Sequence, residues 1–166
     1  MTARPATPAD VDAITVIYNQ GIEDRIATFE TRLRTAADIR AWFEGRHPVV
    51  VVEENREVVA FAATASYRPR ACYAGVAEVS LYVARPYRRR GAGRLALEEL
   101  LHAAERAGFW KLLSRVFTDN IGSRTLIRSL GFREVGIYEK HACLDGVWRD
   151  VVIVERLIQA NLQGAL

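Results

Sequence analysis

Three arginines and two glycines, in the run Arg88-Arg89-Arg90-Gly91-Ala92-Gly93, form the segment of this sequence best suited to chemistry. The run follows a strand-like stretch, residues 79–84, and leads into a helical pattern. Glycines let the backbone approach a ligand closely, and successive amide groups at a helix N-terminus attract anions. The spacing therefore predicts a loop that holds a pyrophosphate, although two glycines in a turn also arise by chance.

The segments before this loop predict two helices and a hairpin. Thr7-Pro8-Ala9-Asp10 has the pattern of a helix start, and we expect that helix to reach about Gly21. Thr35 repeats the signal and opens a second helix that ends before Pro48, with a loop at residues 23–34 between the two. Two β-rich runs, residues 49–53 and 57–67, then predict a hairpin, and residues 76–84 a third strand.

The segments after the loop alternate between helix and strand. Residues 91–108 carry an apolar helical stripe, and residues 111–117 predict a strand that leads to a helix cap at Asp119-Asn120. Asp145-Gly146 joins the last two strand-like runs, residues 134–144 and 147–157, as a hairpin. We therefore expect one α/β domain over residues 1–166, in which a mixed sheet of about six to seven strands carries helices on both faces.

The composition and the spacing of residues argue against a membrane protein, a secreted protein and a metalloprotein. The longest apolar run, residues 49–52, is too short to span a bilayer, and the polar start does not resemble a signal peptide. The two cysteines and three histidines are scattered without the spacing of metal ligands. We expect a cytoplasmic protein without a metal or a membrane partner.

The arginine cluster leaves three interpretations open. Its members, Arg85, Arg88, Arg89, Arg90 and Arg94, could bind a phosphorylated small molecule or nucleic acid, or could form a solvated loop. Apart from Tyr87, no stacking aromatic residue interleaves with the arginines, and the glycines suit a compact phosphate ligand. We therefore expect no nucleic-acid partner.

The strand, the Arg-x-x-Gly-x-Gly loop and the helix together resemble the coenzyme A loop of GNAT acetyltransferases. Asn120-x-x-Ser123-x-x-Leu126, followed by Leu130-Gly131-Phe132, is similar to the second signature of that family. The resemblance implies acetyl-CoA as the acetyl donor. It also implies cofactor contacts from Leu81, Tyr82, Val83, Arg88, Arg89, Arg90, Gly91, Ala92, Gly93, Arg94, Asn120 and Ser123.

One position departs from the family pattern. Many GNAT enzymes carry a tyrosine or histidine directly after the leucine of the second signature, where it protonates the departing thiolate, but here the residue is Ile127. The thiolate could leave without an acid, or water or another side chain such as Tyr138 could supply the proton.

Glu78 is the candidate general base. An amine attacks a thioester only when neutral, and α-amino groups are largely protonated at pH 7. Side-chain alternation along residues 76–84 puts Glu78 and Tyr82 on one face of the strand that enters the loop. We expect an apolar site around Glu78, or a water that relays the proton, while a plain ion pair with an arginine is the structural alternative.

Three further segments resemble the phosphinothricin N-acetyltransferase group within GNAT: Thr28-Phe29-Glu30-Thr31, Tyr67-x-x-Arg70-x-x-Tyr73 and Asp145-Gly146-Val147-Trp148-Arg149-Asp150. The resemblance implies acetylation of the α-amino group of phosphinothricin, methionine sulfoximine or arsinothricin, as a detoxification. Arg70 and Tyr73 would bind the anionic group, Phe29 would wall the pocket and Glu30 would hold the ammonium. It also implies a homodimer.

Two other functions remain open. One is an acetyltransferase for protein N-termini or polyamines, whose pocket should be acidic or open. The other is a coenzyme A-binding regulator without catalysis, which is suggested by the lack of a proton-donating side chain at Ile127.

Overall fold

A computed structural model describes residues 1–163, which form a mixed sheet flanked by helices. Within that range the helices are α1 (Val11–Glu23), α2 (Ala36–Arg40), α3 (Ala92–Arg106) and α4 (Ile121–Ser129). The strands are β1 (Thr2–Pro5), β2 (Val49–Glu54), β3 (Glu57–Ser66), β4 (Val76–Val83), β5 (Lys111–Phe117), β6 (Arg133–Leu144) and β7 (Val147–Leu157). Residues 164–166 of the expected domain lie outside the described residues.

The sheet has the strand order β1-β2-β3-β4-β5-β7-β6. β4 and β5 pair in parallel, while the other neighbouring pairs in the described chain are antiparallel. α3 makes the crossover between the two parallel strands, as such a connection requires. The parallel pair lies at the centre of the sheet, and the arginine-glycine loop follows the end of β4.

Helices cover both faces of the sheet, as the sequence predicted. On one face, α1 and α2 pack with Val49, Val51 and Phe61 around a first core cluster. On the other face, α3 and α4 pack with Val50 and Val52 around a larger cluster. Strand β2 thus contributes alternate valines to the two cores, which explains why its sequence is an uninterrupted apolar run.

Local signals placed most of the element boundaries. The Thr35 hydroxyl accepts a hydrogen bond from the Asp38 amide (3.3 Å) and caps α2. Asp145 and Gly146 adopt positive φ angles of 49° and 81° between β6 and β7, as a tight hairpin turn demands. Strand β1 was missed, because its four residues show little of the alternation that marks a strand and are held by pairing with β2.

Asp10, before α1, is a buried carboxylate that should make stability depend on pH. The Arg4 guanidinium donates two hydrogen bonds of 2.8 Å to it, and the Thr7 amide adds a third of 2.8 Å. The hydrogen bonds from Arg4 are the main cause that lowers the pKa of Asp10 below its usual 3.8. Because the folded-state pKa is the lower one, this stabilisation is present above about pH 4 and is lost as pH falls through the folded-state value.

We therefore expect Asp10→Asn to lower the free energy of unfolding at pH 7 by about 1–3 kcal/mol, with a smaller difference at pH 3. Urea denaturation at the two pH values measures the effect. Glu139→Gln, which changes an exposed carboxyl on β6, is the control. An Asp10→Asn variant that loses equal stability at both pH values would show that the charge of Asp10 is not what matters.

Candidate active site

Strands β4 and β5 separate in the middle of the sheet. Their pairing extends only from Val76 and Lys111 to Glu78 and Leu113. Just beyond, the Ser114 hydroxyl donates a hydrogen bond of 2.9 Å to the Val79 carbonyl, which shows that this carbonyl faces the gap. Because alternate residues of a strand turn their backbone groups to the same side, the N–H and C=O of Leu81 also face the gap. The gap offers an extended ligand a strand edge to pair with.

A cavity of about 500 Å³ surrounds this gap. It is lined by β4, β5, α4 and the α1–α2 loop. Seven residues predicted to bind cofactor or substrate, or to act as the base, line it together: Phe29, Glu30, Glu78, Leu81, Tyr82, Asn120 and Ser123.

The structure places Arg70 and Tyr73 elsewhere. Both lie in the β3–β4 loop with exposed side chains, and Tyr73 packs edge-on against Tyr67 at a ring-centroid distance of 5.5 Å. Neither side chain lines the cavity of a single chain. Their role in substrate binding stays a prediction.

The loop between β4 and α3 has the geometry of an anion site. Arg89 and Gly91 adopt positive φ angles of 60° and 90°, which turn the chain into α3. The first α-helical hydrogen bond runs from the Leu95 amide to the Gly91 carbonyl (3.2 Å), so the amides from residue 92 to residue 94 precede it. Amides at a helix N-terminus, with the helix dipole behind them, favour a phosphate group.

The arginines of the loop are mostly paired with carboxylates. Arg88 contacts Asp24 at 2.6 Å, and Arg90 contacts Glu54 at 3.2 Å. Hydrogen bonds from Arg85, and then from Arg88, lower the pKa of Asp24. Arg89 has no carboxylate within 4.0 Å in the part of the chain that the structure describes. The cluster is therefore less cationic than its sequence indicated.

Gly91 provides a test of the loop, because its φ of 90° strains any other residue while a Cβ there would touch nothing within 4 Å. We expect Gly91→Ala to cost about 1–2 kcal/mol of stability and to weaken acetyl-CoA binding. Gly108 is a matched control, since it also has a positive φ (82°) and open space around it, but it follows the opposite end of α3.

Gly108→Ala should lose comparable stability and bind acetyl-CoA as the unmodified protein does. Thermal melts and calorimetric titration with acetyl-CoA give the two quantities. Equal weakening of binding in both variants would mean that the strain acts through the whole fold and not through the loop.

Glu78 lies at the point where the strands part. Its Oε2 accepts a hydrogen bond of 2.6 Å from Nη2 of Arg115 on β5, and the carboxylate side chain is 28% exposed. The expected apolar surroundings are not what the structure contains, since a guanidinium lies beside the carboxylate. Sequence reasoning missed Arg115. This residue lies two positions after Leu113, which pairs with Glu78 across the two parallel strands, so Arg115 and Glu78 share a face of the sheet.

Aromatic side chains form the wall of the cavity opposite α3. Phe29 packs edge-on against the buried Phe117 at 4.9 Å. The ring of Tyr82 lies 4.9 Å from that of Tyr18 and 5.5 Å from that of Phe61. Burial raises the pKa of Tyr82 above its usual 10, so its phenol stays protonated at neutral pH.

Asn120 connects two walls of the cavity. Its side-chain oxygen accepts a hydrogen bond of 3.2 Å from the Ser123 amide and caps α4, as predicted. Its amide nitrogen donates to the Ile26 carbonyl at 3.3 Å, which ties α4 to the α1–α2 loop. This contact positions the loop that carries Phe29.

Ile127 occupies the position where many GNAT enzymes carry the acid, and Tyr138 is the alternative proton donor. The two residues lie in different parts of the structure. Ile127 is buried and lines the cavity. Tyr138 lies exposed on β6, outside the residues that line it, with its ring 5.1 Å from that of His141. The phenols that do line the cavity are those of Tyr18 and Tyr82.

The described chain has neither a cluster of metal-ligating side chains nor a membrane-spanning helix. Residues 1–163 contain no group of three or more His, Cys, Asp or Glu side chains arranged to hold a metal ion. Among the helices within that range, none is long and apolar enough to cross a membrane.

Comparison with known families identifies the family to which this chain belongs. The profile of the Acetyltransferase (GNAT) family matches residues 17–132, which include the loop, α4 and the cavity lining apart from Val151. The chain belongs to the GNAT family. As a GNAT enzyme it is an acetyl-CoA-dependent N-acetyltransferase. The open edge of β4 and the amides of its loop fit the extended pantetheine arm and the pyrophosphate of that donor.

Individual GNAT relatives extend the match to nearly the whole chain. The L-methionine sulfoximine/L-methionine sulfone acetyltransferase of Salmonella typhimurium is 31% identical, over 93% of this chain and 93% of its own. A GNAT superfamily phosphinothricin acetyltransferase (Pat) from Sinorhizobium meliloti, solved in complex with AcCoA, has a TM-score of 0.87 and 28% identity, over 94% of this chain and 87% of its own. The ribosomal-protein-alanine N-acetyltransferase of Brucella melitensis has a TM-score of 0.90 and 31% identity, over 95% of this chain and 100% of its own.

Proposed function

We propose that this enzyme acetylates the α-amino group of a phosphinothricin-like amino acid, such as phosphinothricin, methionine sulfoximine or arsinothricin. The observation that carries the proposal is the cavity of about 500 Å³ that brings Glu78 and an aromatic wall to the β4–β5 gap. Its size suits a small amine. The names of the Salmonella and Sinorhizobium relatives support this substrate class.

In this proposal the gap and the loop hold the donor. Acetyl-CoA supplies the activated acetyl group as a thioester. The Leu81 backbone binds the pantetheine arm, together with the neighbouring side chains of Tyr82 and Val83. The loop from Arg88 to Arg94 binds the pyrophosphate, and Asn120 and Ser123 contact the arm from α4.

Glu78 prepares the acceptor amine. The carboxylate takes a proton from the ammonium, directly or through a water, so that the neutral nitrogen can bond to the acetyl carbon as the carbon–sulfur bond breaks. The nitrogen releases its second proton to water as the amide forms. Ile127 has no proton to give, so the departing thiolate takes its proton from water or from another side chain. Tyr18 and Tyr82 line the cavity, whereas Tyr138 lies outside its lining.

Substrate contacts complete the proposal. Phe29 walls the pocket and Glu30, which pairs with Arg34 at 2.9 Å, holds the ammonium. Arg70 and Tyr73 bind the anionic side-chain group, which requires a movement of the β3–β4 loop or a neighbouring subunit. A homodimer in the cytoplasm, acting to detoxify such amino acids, is part of the same proposal.

Exposed apolar side chains support the dimer. They lie on the β6–β7 hairpin at the sheet edge, where Ile137, Tyr138, Val147 and Trp148 are each more than half exposed, at 57%, 53%, 58% and 61%. Large exposed apolar side chains on an edge hairpin are typical of surfaces through which proteins associate.

A second candidate function is acetylation of protein N-termini. The close structural similarity to the Brucella ribosomal-protein-alanine N-acetyltransferase favours it.

Two carboxylates in the cavity, Glu30 and Glu78, would suit an amine-rich acceptor such as a polyamine. A regulator that binds coenzyme A without turnover would require Glu78 to be dispensable.

A thiol-release assay distinguishes these functions. Acetyl-CoA is offered with phosphinothricin, methionine sulfoximine, arsinothricin, glutamate, spermidine and a peptide with a free N-terminus. We expect turnover on the first three. Turnover only on spermidine or the peptide would overturn the proposed substrate class, and no turnover on any acceptor would favour the regulator.

A further inference from the structure

Arg115 is a charged residue of the candidate active site that has no role in the acetyl transfer proposed above. It lies on β5, on the face of the sheet that carries Glu78, and its side chain is 46% exposed to the cavity and solvent. The charged residues among those that line the cavity are Glu30, Glu78 and Arg115. Arg115 is therefore the single cation in the described lining.

The guanidinium of Arg115 has more hydrogen-bond donors than its contact with Glu78 uses. It carries five N–H groups in a planar fork, and Nη2 donates to Oε2 of Glu78 at 2.6 Å. The remaining donors make no other hydrogen bond with the described residues. A half-exposed guanidinium with an open edge is the usual protein partner of a carboxylate, because two parallel N–H groups match its two oxygens.

We infer that Arg115 binds the α-carboxylate of the substrate and so holds the α-amine beside Glu78. This inference rests on the proposed function, and it deepens it by naming the residue that recognises an α-amino acid. The amine and the carboxylate of an α-amino acid share one carbon atom. Their two partners must therefore also be neighbours, as Glu78 and Arg115 are.

The position of Arg70 supports this assignment. Arg70 is the other arginine considered for an anionic group, but it lies exposed in the β3–β4 loop outside the cavity lining. The two arginines thus have separate roles. Arg115 recognises the carboxylate that all α-amino acids share, and Arg70 remains the candidate for the group that distinguishes one side chain from another.

The inference predicts a preference that a structural role would not produce. The unmodified enzyme should acetylate L-methionine sulfone better than its carboxamide, which has no negative charge. Arg115→Gln keeps a hydrogen-bond donor for Glu78 but removes the charge and the fork. We expect it to lower kcat/KM for the acid about 10- to 100-fold, to change kcat/KM for the carboxamide little, and so to abolish the preference.

Two controls accompany the kinetics. Arg133→Gln, which removes an exposed arginine paired with Glu155 on the sheet edge, should leave the preference intact. Calorimetric titration of the CoA-saturated protein with L-methionine sulfone measures binding without turnover. Weaker binding in Arg115→Gln than in Arg133→Gln is the expected result.

Several outcomes would overturn the inference. Equal losses of kcat/KM for acid and carboxamide would mean that Arg115 acts only by positioning Glu78, and unchanged kinetics would remove it from the site. An unmodified protein that binds no amino acid in the titration would also overturn it. Binding that depends on Arg115 without acetyl transfer would uphold the inference while it overturns the proposed function.

Discussion

Replacing Glu78 by glutamine is expected to lower kcat/KM for acetyl transfer by about 10²- to 10⁴-fold, which is the usual contribution of a positioned general base. The α-amino group of an amino acid is largely protonated at neutral pH. A glutamine at this position fills the same space and can still contact Arg115. It cannot take up a proton, and the fraction of neutral amine at the gap should fall.

Initial rates of thiol release at saturating acetyl-CoA measure this effect. Calorimetric titration should give the same acetyl-CoA affinity for Glu78→Gln as for the unmodified protein, because the carboxylate does not contact the pyrophosphate loop. Glu155→Gln is the matched control, since Glu155 is also an ion-paired strand carboxylate, held by Lys111 and Arg133. A Glu78→Gln variant that keeps most of its kcat/KM would exclude Glu78 as the base.

Phe61→Ala is expected to have the largest effect on stability, at about 3–5 kcal/mol. Phe61 is fully buried in the middle of β3. Its ring packs against those of Tyr82 at 5.5 Å, Trp42 at 5.9 Å and Tyr18 at 6.1 Å. Truncation removes the shared contact of these three rings and leaves a cavity, and a typical domain has only about 5–15 kcal/mol of total stability.

The same substitution should affect the active site, because Tyr82 and Tyr18, whose rings pack against Phe61, also line the cavity. Urea denaturation gives the stability, and a methionine sulfone saturation curve gives KM. Val16→Ala, at an exposed position of α1, controls for the loss of an apolar side chain without a cavity. If Phe61→Ala costs no more than Val16→Ala, the aromatic cluster does not hold the α1 layer to the sheet.

Short stretches of sequence predict many of the secondary-structure elements. Thr35 with Asp38 starts α2, Asn120 caps α4, and Asp145-Gly146 turns β6 into β7. Each of these signals works through hydrogen bonds or backbone angles among residues a few positions apart. Such local interactions are the same in any fold, so the sequence alone predicts them.

The sequence also determined the class of site. The run from Arg88 to Gly93 at the end of a strand and the start of a helix predicted an anion loop, and the alternation of β4 predicted that Glu78 and Tyr82 share a face. The sequence can make these predictions because each depends on one element and its immediate continuation. The family match then confirms acetyl-CoA as the donor.

Only the tertiary structure decided how the pieces meet. β1 exists because it pairs with β2, and the gap exists because β5 parts from β4 beyond Glu78. The pairing of Glu78 with Arg115 joins residues 37 positions apart, and that of Arg88 with Asp24 joins residues 64 apart. Partners at such separations are brought together by the packing of whole elements, which no local pattern encodes.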